Sequence, residues 1–385
     1  MTSEERREAR FQRRREKRAA ARAARIGSAD RYQSTFSYAS LYRAYRLCRR
    51  NVSWKASVQK FVTQAPVLVY KVWDRLDRGI YQSPPFFEFY VFERGKKRHI
   101  RSTVIGDRIV QRALCDNTLA PMFFGSMIYD CGACMEGKGY TFAINRMDAH
   151  LQRFIRKHGT DGYILMGDLK SFFDSIVHLV VSDMLRKQIS DRRLVKITED
   201  LIRMFDPDTP LESRRGLGLG SQISQVLAPA VASGVDHFIK EKLGAKYYGR
   251  YMDDFYIIFK DKSTLHEWRA IIAQECEKAG LTVHPRKTQV VKLTHGFTWL
   301  KVRYNVTETG RIIHRIHPNS VTRERRKLKK LAAKYHAGRI TLEQAYNSWQ
   351  SWDAHAARFQ SHRTRNSMEI LFANLFVGGA ANAMV

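Results

Sequence analysis

Residues 244–261, GAKYYGRYMDDFYIIFKD, constrain this chain more than any other stretch. Two runs rich in aromatic and β-branched residues, 246–251 and 255–259, flank Met252-Asp253-Asp254, the pattern of a hairpin whose tip carries two adjacent carboxylates. Acids at the end of a buried ribbon are costly unless a cation sits beside them, so the pair implies metal ions and the phosphates such ions hold. Taken alone, the same two residues would also suit a solvated Asp-Asp turn. The rest of the chain has to decide between these.

The chain has 385 residues, 44% of them apolar, with 17 Tyr, 21 Phe and 6 Trp, enough material for a sizeable core. Its 67 Lys and Arg against 37 acids give a formal charge of +30, and a surplus of that size points to a polyanion, with nucleic acid as the default partner. No apolar run approaches the ~18 residues of a spanning helix, so no membrane partner is expected, and the first residues are too charged for a secretory signal. Five cysteines form no dense framework and suggest a reducing compartment. Cys131 and Cys134 have the spacing of half a zinc knuckle but lack a matching second pair, so they read as core or loop thiols.

Residues 1–25 carry ten basic and four acidic side chains without an apolar stripe. This arm is expected to order only against a polyanion or another protein, or to serve as a solubilising tail. Residues 35–80 show successive helical patterns, broken at Ser83-Pro84-Pro85. Residues 86–100 read as a β-hairpin turning at Glu93-Arg94-Gly95-Lys96, with Lys96, Lys97, Arg98 and Arg101 placed to hold a triphosphate or simply to be solvated. Asp107 opens a helix that runs to Leu114, residues 129–142 are irregular, and a further helix covers 143–158.

In residues 163–176, YILMGDLKSFFDSI, a strand apolar on both sides ends at Asp168. By itself that acid could be a ligand, a salt-bridge partner or a cap. Residues 215–225 place three glycines in five residues ahead of a helix, without the Lys-Ser/Thr ending of a Walker loop or the strand and acid of a dinucleotide fold. Such a loop would support a flat substrate, with Ser224 and Gln225 at the helix entrance. Residues 265–279 form a helix stopped by Gly280, 281–293 and 297–304 are strand-like, and 311–316 closes a further hairpin. Along 321–336, Arg323, Arg326, Lys327 and Lys330 recur at helical spacing and put four cations on one face, tracking phosphates or solvated. Trp349 and Trp352, in a second helical stretch, are expected in the core.

Asp168 and the Asp253-Asp254 pair can meet if their strands are neighbours in a sheet backed by helices. Three carboxylates at one edge can hold two divalent ions, one activating a 3′-hydroxyl and the other neutralising leaving pyrophosphate. At this point the sequence closely resembles the reverse transcriptases. Tyr251-Met252-Asp253-Asp254 matches the YxDD motif, residues 168–174 the first catalytic motif and 107–111 the fingers motif. Pro285-Arg286-Lys287-Thr288 looks like the segment in which a lysine approaches the triphosphate.

The resemblance implies an α/β (α+β) right-hand polymerase fold with fingers, palm and helical thumb. It divides the chain into a basic arm (1–34), a helical lead-in with fingers (35–160), a palm with some fingers elements (161–317) and a thumb with tail (318–385). Asp168 and Asp253 would be the main ligands of two Mg²⁺ ions, with Mn²⁺ able to substitute, Asp254 supporting and the Leu169 carbonyl completing one shell. Phe173 resembles the steric gate against ribonucleotides. Lys97, Arg98, Gly220, Gln225 and Lys287 would meet the nucleotide, Lys287 also protonating pyrophosphate, and Ser224 would join the thumb cations at the nucleic acid.

Leu219-Gly220 and Ser224-Gln225 give L-G-x-x-x-S-Q, which resembles the enzymes of diversity-generating retroelements rather than the Q-G-x-x-x-S-P of group II intron and retron enzymes. Two positions depart from the family's pattern: Gly218 stands for the familiar proline, and Trp299-Leu300-Lys301 for F-L-G. The resemblance implies an RNA-directed DNA polymerase in the cytoplasm, bacterial or phage-encoded, that makes errors at template adenines. Its partners would be template RNA, RNA/cDNA hybrid, dNTPs and a small basic accessory protein. The alternatives are a retron-like or antiviral-defence enzyme, protein-primed or template-independent, and a non-catalytic RNA-binding protein.

Overall fold

A computed structural model of the chain describes residues 2–26, 29–93 and 96–376. Its helices and strands begin with α1 (Ser3–Ile26), α2 (Tyr32–Thr35), α3 (Tyr38–Cys48), α4 (Ala56–Val62) and α5 (Ala65–Asp77). The hairpin β1 (Phe87–Glu93) and β2 (Lys96–Ser102) follows, then α6 (Ile105–Leu114), which continues through a π turn into α7 (Ala120–Phe123). Next come α8 (Tyr140–His158), β3 (Tyr163–Asp168), α9 (Phe172–Ser175), α10 (His178–Gln188), α11 (Arg192–Arg203) and α12 (Gln222–His237). After β4 (Tyr247–Tyr251) and β5 (Asp254–Phe259) stand α13 (Lys262–Lys278), β6 (Gln289–Lys292), β7 (Phe297–Trp299), β8 (Val302–Val306) and β9 (Ile312–Ile316). The chain closes with α14 (Pro318–His336), α15 (Leu342–Ala356) and α16 (His362–Phe376). The residues group into two compact units, one from 1–143, 165–257 and 263–289, the other from 144–164, 258–262 and 290 onward.

The acids ride on a four-stranded sheet of order β4-β5-β3-β6. Tyr247–Arg250 and Phe255–Ile258 are buried without a break, the mark of strands covered on both faces. Aromatic rings lie directly over glycines in this sheet. A Cβ at Gly167 would fall inside the Phe255 ring, and one at Gly249 would collide with Tyr256, so neither position has room for any other residue. The β1–β2 hairpin pairs Phe87 with Ser102 through to Glu93 with Lys96. The turn expected at Arg94-Gly95 lies outside the described residues.

Three segments differ from the sequence expectation. The basic arm is a helix placed on its own unit: Arg18 pairs with Glu241, Lys242 pairs with Glu8, and the Lys242 ammonium lies 4.7 Å from the centre of the Phe11 ring. Counter-charges along the helix supply the docking that an apolar stripe would otherwise give. The strand expected over 281–293 is interrupted: Val283 bridges Leu169 and β6 joins the sheet, but between them Pro285 has no N–H to give and residues 284–287 turn. The run 297–304 is a hairpin, β7 and β8, with Trp299 opposite Val302. Leu300 and Lys301, at φ 44° and 67°, form its two-residue turn, the left-handed geometry that matches strand twist and that neither residue type advertises.

In the second unit β7, β8 and β9 form a three-stranded sheet. Helices α14, α15 and α16 bury Leu328, Ala332, Trp349, Trp352, Met368 and Phe372 among themselves, which places both tryptophans in the core as expected. Arg365 grips Asp353 through two 2.7 Å bonds, and Thr341 with Gln344 closes a capping box at the start of α15. Arg323, Arg326, Lys327 and Lys330 are all exposed on α14. Lys327 lies 3.4 Å from Glu324 and donates to the Ser348 carbonyl, so this cation is partly engaged within the unit.

Candidate active site

The first unit brings Asp168 to the hairpin acids by backbone bonds. Leu169 N donates to the Asp253 carbonyl at 2.9 Å, joining the end of β3 to the tip between β4 and β5. On the other side His284 N donates to the Asp168 carbonyl (2.7 Å) and Lys170 N to the Thr282 carbonyl (2.7 Å). These two bonds flank the Leu169–Val283 bridge and leave the Leu169 carbonyl out of it. Met252, at φ 55°, makes the left-handed step that turns the chain between the strands.

Electrostatics at the tip are set by burial and like charge. Burial, then the charges of Asp253 and Asp168, push the Asp254 carboxyl up to about 7, with Lys287 opposing. Asp253 is raised chiefly by burial, with Asp168 adding and Lys287 and Arg98 pulling down. Lys287 Nζ lies 2.8 Å from the Asp168 carboxylate, and His284 Nδ1 accepts from Arg286 N and Lys287 N, shaping the turn that delivers the lysine.

Acids that repel one another while partly buried are stabilised by a cation, and hard carboxylate oxygens suit Mg²⁺ or Mn²⁺. Among the described residues no three Asp, Glu, His or Cys side chains gather closely enough to cage an ion unaided. A Mg²⁺ site takes one or two carboxylates and completes its shell with water and substrate phosphates. Of the expected ligands, Asp168 acts on the carboxyls of both Asp253 and Asp254, and Leu169 is bonded to the tip through its N–H.

Other expected site residues are distributed less simply. Arg98 is close enough to be felt at Asp253, whereas the next residue, Lys97, belongs to the opposite face of β2 and holds its ammonium 3.9 Å from the centre of the Tyr90 ring. Grouping the two as phosphate contacts overlooked strand alternation. Phe173 is half-buried in α9, edge-on to Phe172, with its carbonyl bonded to Leu217 N. Gly220 and Gln225 are exposed where the glycine-rich loop enters α12. Ser224, expected at the nucleic acid, is 1% exposed and donates to the Leu217 carbonyl; it locks the loop to the helix. Gly218, at φ 62°, lies where a Cβ would overlap the Phe205 ring, and proline, fixed near −65°, cannot take that conformation.

Two supporting networks went unread in the sequence. Arg250, 2% exposed, donates to both oxygens of the fully buried Asp236 (2.8 and 2.6 Å), to the Pro229 carbonyl (3.1 Å) and to the Met252 carbonyl (2.9 Å). It thus ties α12 to the turn that holds the acids. An isolated charge inside an all-buried strand was the available signal, since such a charge needs a buried partner. The second network centres on buried Asp107, which accepts from Tyr81, Ser83, Thr103 and Gln111. Gln111 accepts in turn from Ser221, the N-cap of α12, so the fingers motif holds the foot of the glycine-rich loop.

The reverse transcriptase (RNA-dependent DNA polymerase) family matches residues 69–304. Protein YkfC of Escherichia coli (strain K12) is 24% identical over 272 residues, 59% of this chain and 68% of that protein. Similar solved structures include a telomerase from Candida albicans in complex with a fragment of telomeric RNA (TM-score 0.46, 13% identity, 74% of this chain). Another is an apo telomerase from Candida tropicalis truncated of its C-terminal domain (TM-score 0.46, 15% identity, 63% of this chain). The chain spans 55% and 58% of those two structures' lengths. The family match covers more than half of the chain and contains the acids, the glycine-rich loop, the fingers motif and Lys287. This chain belongs to the reverse transcriptase family, with the mixed α/β, right-hand polymerase fold of that family.

Proposed function

We propose that the chain copies an RNA template into cDNA by nucleotidyl transfer supported by two divalent cations, as part of a diversity-generating retroelement. The backbone bond between Leu169 and Asp253 carries the first half of this reading, because it fastens Asp168 beside the two hairpin acids. Asp168, Asp253 and Asp254 would hold the cations, with the Leu169 carbonyl as a further oxygen. The cations supply activation of the primer 3′-hydroxyl and charge neutralisation at the leaving group. Arg98 and Lys287 bring positive charge to the triphosphate, and Lys287 Nζ is the proton source for departing pyrophosphate. Phe173 bounds the sugar position, while Gly220 and Gln225 lie beneath the nucleotide. In this reading residues 35–160 serve mainly as fingers, 161–317 as palm and 318–376 as thumb.

The retroelement half rests on L-G-x-x-x-S-Q at 219–225. There Ser224 and Gly218 pack the loop against Leu217 and Phe205 in a way that a proline at 218 would forbid. A remodelled platform under the pairing bases lowers selectivity without touching the acids that support bond formation. The direction of that error, toward template adenines, follows the resemblance, as does a small basic accessory protein.

Labelled dNTP incorporation on a primed RNA, with Mg²⁺ and with Asp253→Ala as control, tests the chemistry. Activity is expected from the wild type and lost in the folded variant. Sequencing the same cDNA tests the subfamily: error rates equal at all four template bases in full-length product would move the chain to the retron-like or defence enzymes.

A further inference from the structure

A groove of about 870 Å³ opens in the second unit where β9 ends and both α14 and α16 begin. Its floor is stitched together by backbone. His314 N donates to Gln360 Oε1 (2.7 Å), Gln360 N returns a bond to the His314 carbonyl (2.9 Å), and Ile316 N donates to Ser361 Oγ (3.1 Å). Ser361 is only 5% exposed, and its oxygen accepts from the strand.

Arg315, Arg325 and Arg363 line the walls, with His362 beside them and no acidic residue among the lining side chains. All three arginines are exposed, and none of their side chains pairs with a described carboxylate. The amino-terminal turns of α14 and α16, of 19 and 15 residues, lie at the groove and add the positive ends of their helix dipoles. On α14 the groove takes Pro318, Val321, Thr322 and Arg325, one face at helical spacing, whereas Arg323, Arg326, Lys327 and Lys330 form another.

We infer that this groove grips the phosphates of a single RNA strand, separately from the α14 stripe. The proposal rests on the reading of the chain as an RNA-copying enzyme and adds a place within the second unit where RNA is held. The groove is much larger than one anion needs, and its three exposed arginines offer several positive charges to the phosphates of one strand. It has no Phe, Tyr or Trp on which bases could stack, so it reads backbone charge and not sequence.

Binding of a fluorescein-labelled oligouridylate, without Mg²⁺ or dNTP and over a range of salt, is the test. Three phosphates released in the triple variant R315Q/R325Q/R363Q should flatten the slope of log K against log salt by about 2. The lysine triple R315K/R325K/R363K should keep the wild-type slope, and extension of a short primed template at saturating concentration should survive in both. An unchanged slope in the glutamine triple overturns the proposal. So does a lysine triple that loses the slope equally, since charge would then not be what acts. Binding of polyglutamate that depends on these arginines while oligouridylate binding does not would assign the groove to an acidic protein segment instead. A wild type that extends no primer would refute the polymerase reading itself, whatever the groove binds.

Discussion

Replacing Arg250 tests whether the geometry of the acidic turn is held from behind. The guanidinium makes four bonds, two to Asp236, one to the Pro229 carbonyl and one to the Met252 carbonyl beside the acids. Arg250→Met leaves the fully buried Asp236 carboxylate without its cation, a change that costs about 3–5 kcal/mol in comparable buried pairs. Two orphaned carbonyls would add to this where water does not reach them. Whole domains are stable by only about 5–15 kcal/mol, so urea unfolding should show a large fall in midpoint. Arg250→Met/Asp236→Leu removes both charges and should recover much of the loss.

The informative variant is Arg250→Lys. An ammonium keeps the charge opposite Asp236 but cannot span Asp236 and the Met252 carbonyl together, because it lacks the planar fork. Stability should stay far closer to wild type than in Arg250→Met, while kcat for primer extension falls by about 10²-fold and the dNTP KM changes much less. A loss of that size is what a misplacement of about 1 Å produces in a reacting geometry. A fully active Arg250→Lys would refute the positioning argument and leave the arginine a purely structural residue. An Arg250→Met variant as stable as wild type would refute the buried-pair energetics.

Phe173→Ala should raise incorporation of rNTP relative to dNTP in single-nucleotide extension; an unchanged ratio would return Phe173 to a packing role against Phe172. Changing Arg323, Arg326, Lys327 and Lys330 to glutamine should flatten the salt dependence of hybrid binding by about 3 to 4 units if all four meet phosphates. Because Lys327 already contacts Glu324 and the Ser348 carbonyl, Lys327→Gln alone should move the slope least of the four.

What could be read from the sequence was whatever local pattern encodes. The paired acids, the strand ending at Asp168 and the helices with apolar stripes were legible because burial and periodicity leave a mark on neighbouring residues. The hairpin turn at Leu300-Lys301 was hidden, since neither residue carries the glycine or asparagine signal for left-handed backbone. The helix α1 was misjudged because ion pairs to Glu241 and Lys242, more than 200 positions away, leave no trace in the arm itself. The separation of Lys97 from Arg98 follows from strand alternation, yet the basic run invited reading them as one cluster. The role of Asp236 depends on its pairing with Arg250 on another element, and the backbone bond of His284 to Asp168 on a distant strand; neither could come from spacing.

The rings seated on glycines give the site a direction in which its sequence can drift. While Phe255 stands over Gly167, a side chain at that glycine overlaps the ring, though shrinking the ring first costs a cavity; at Gly218 the left-handed backbone adds strain whether or not the Phe205 ring is there. The Phe255–Gly167 pair therefore changes in one order: the aromatic is lost before the glycine gains a Cβ, and the Cβ must be lost before the ring returns. The strand leading to Asp168 would thus carry an ordered step, and lineages on either side of it would be separated by the path as well as by the residues.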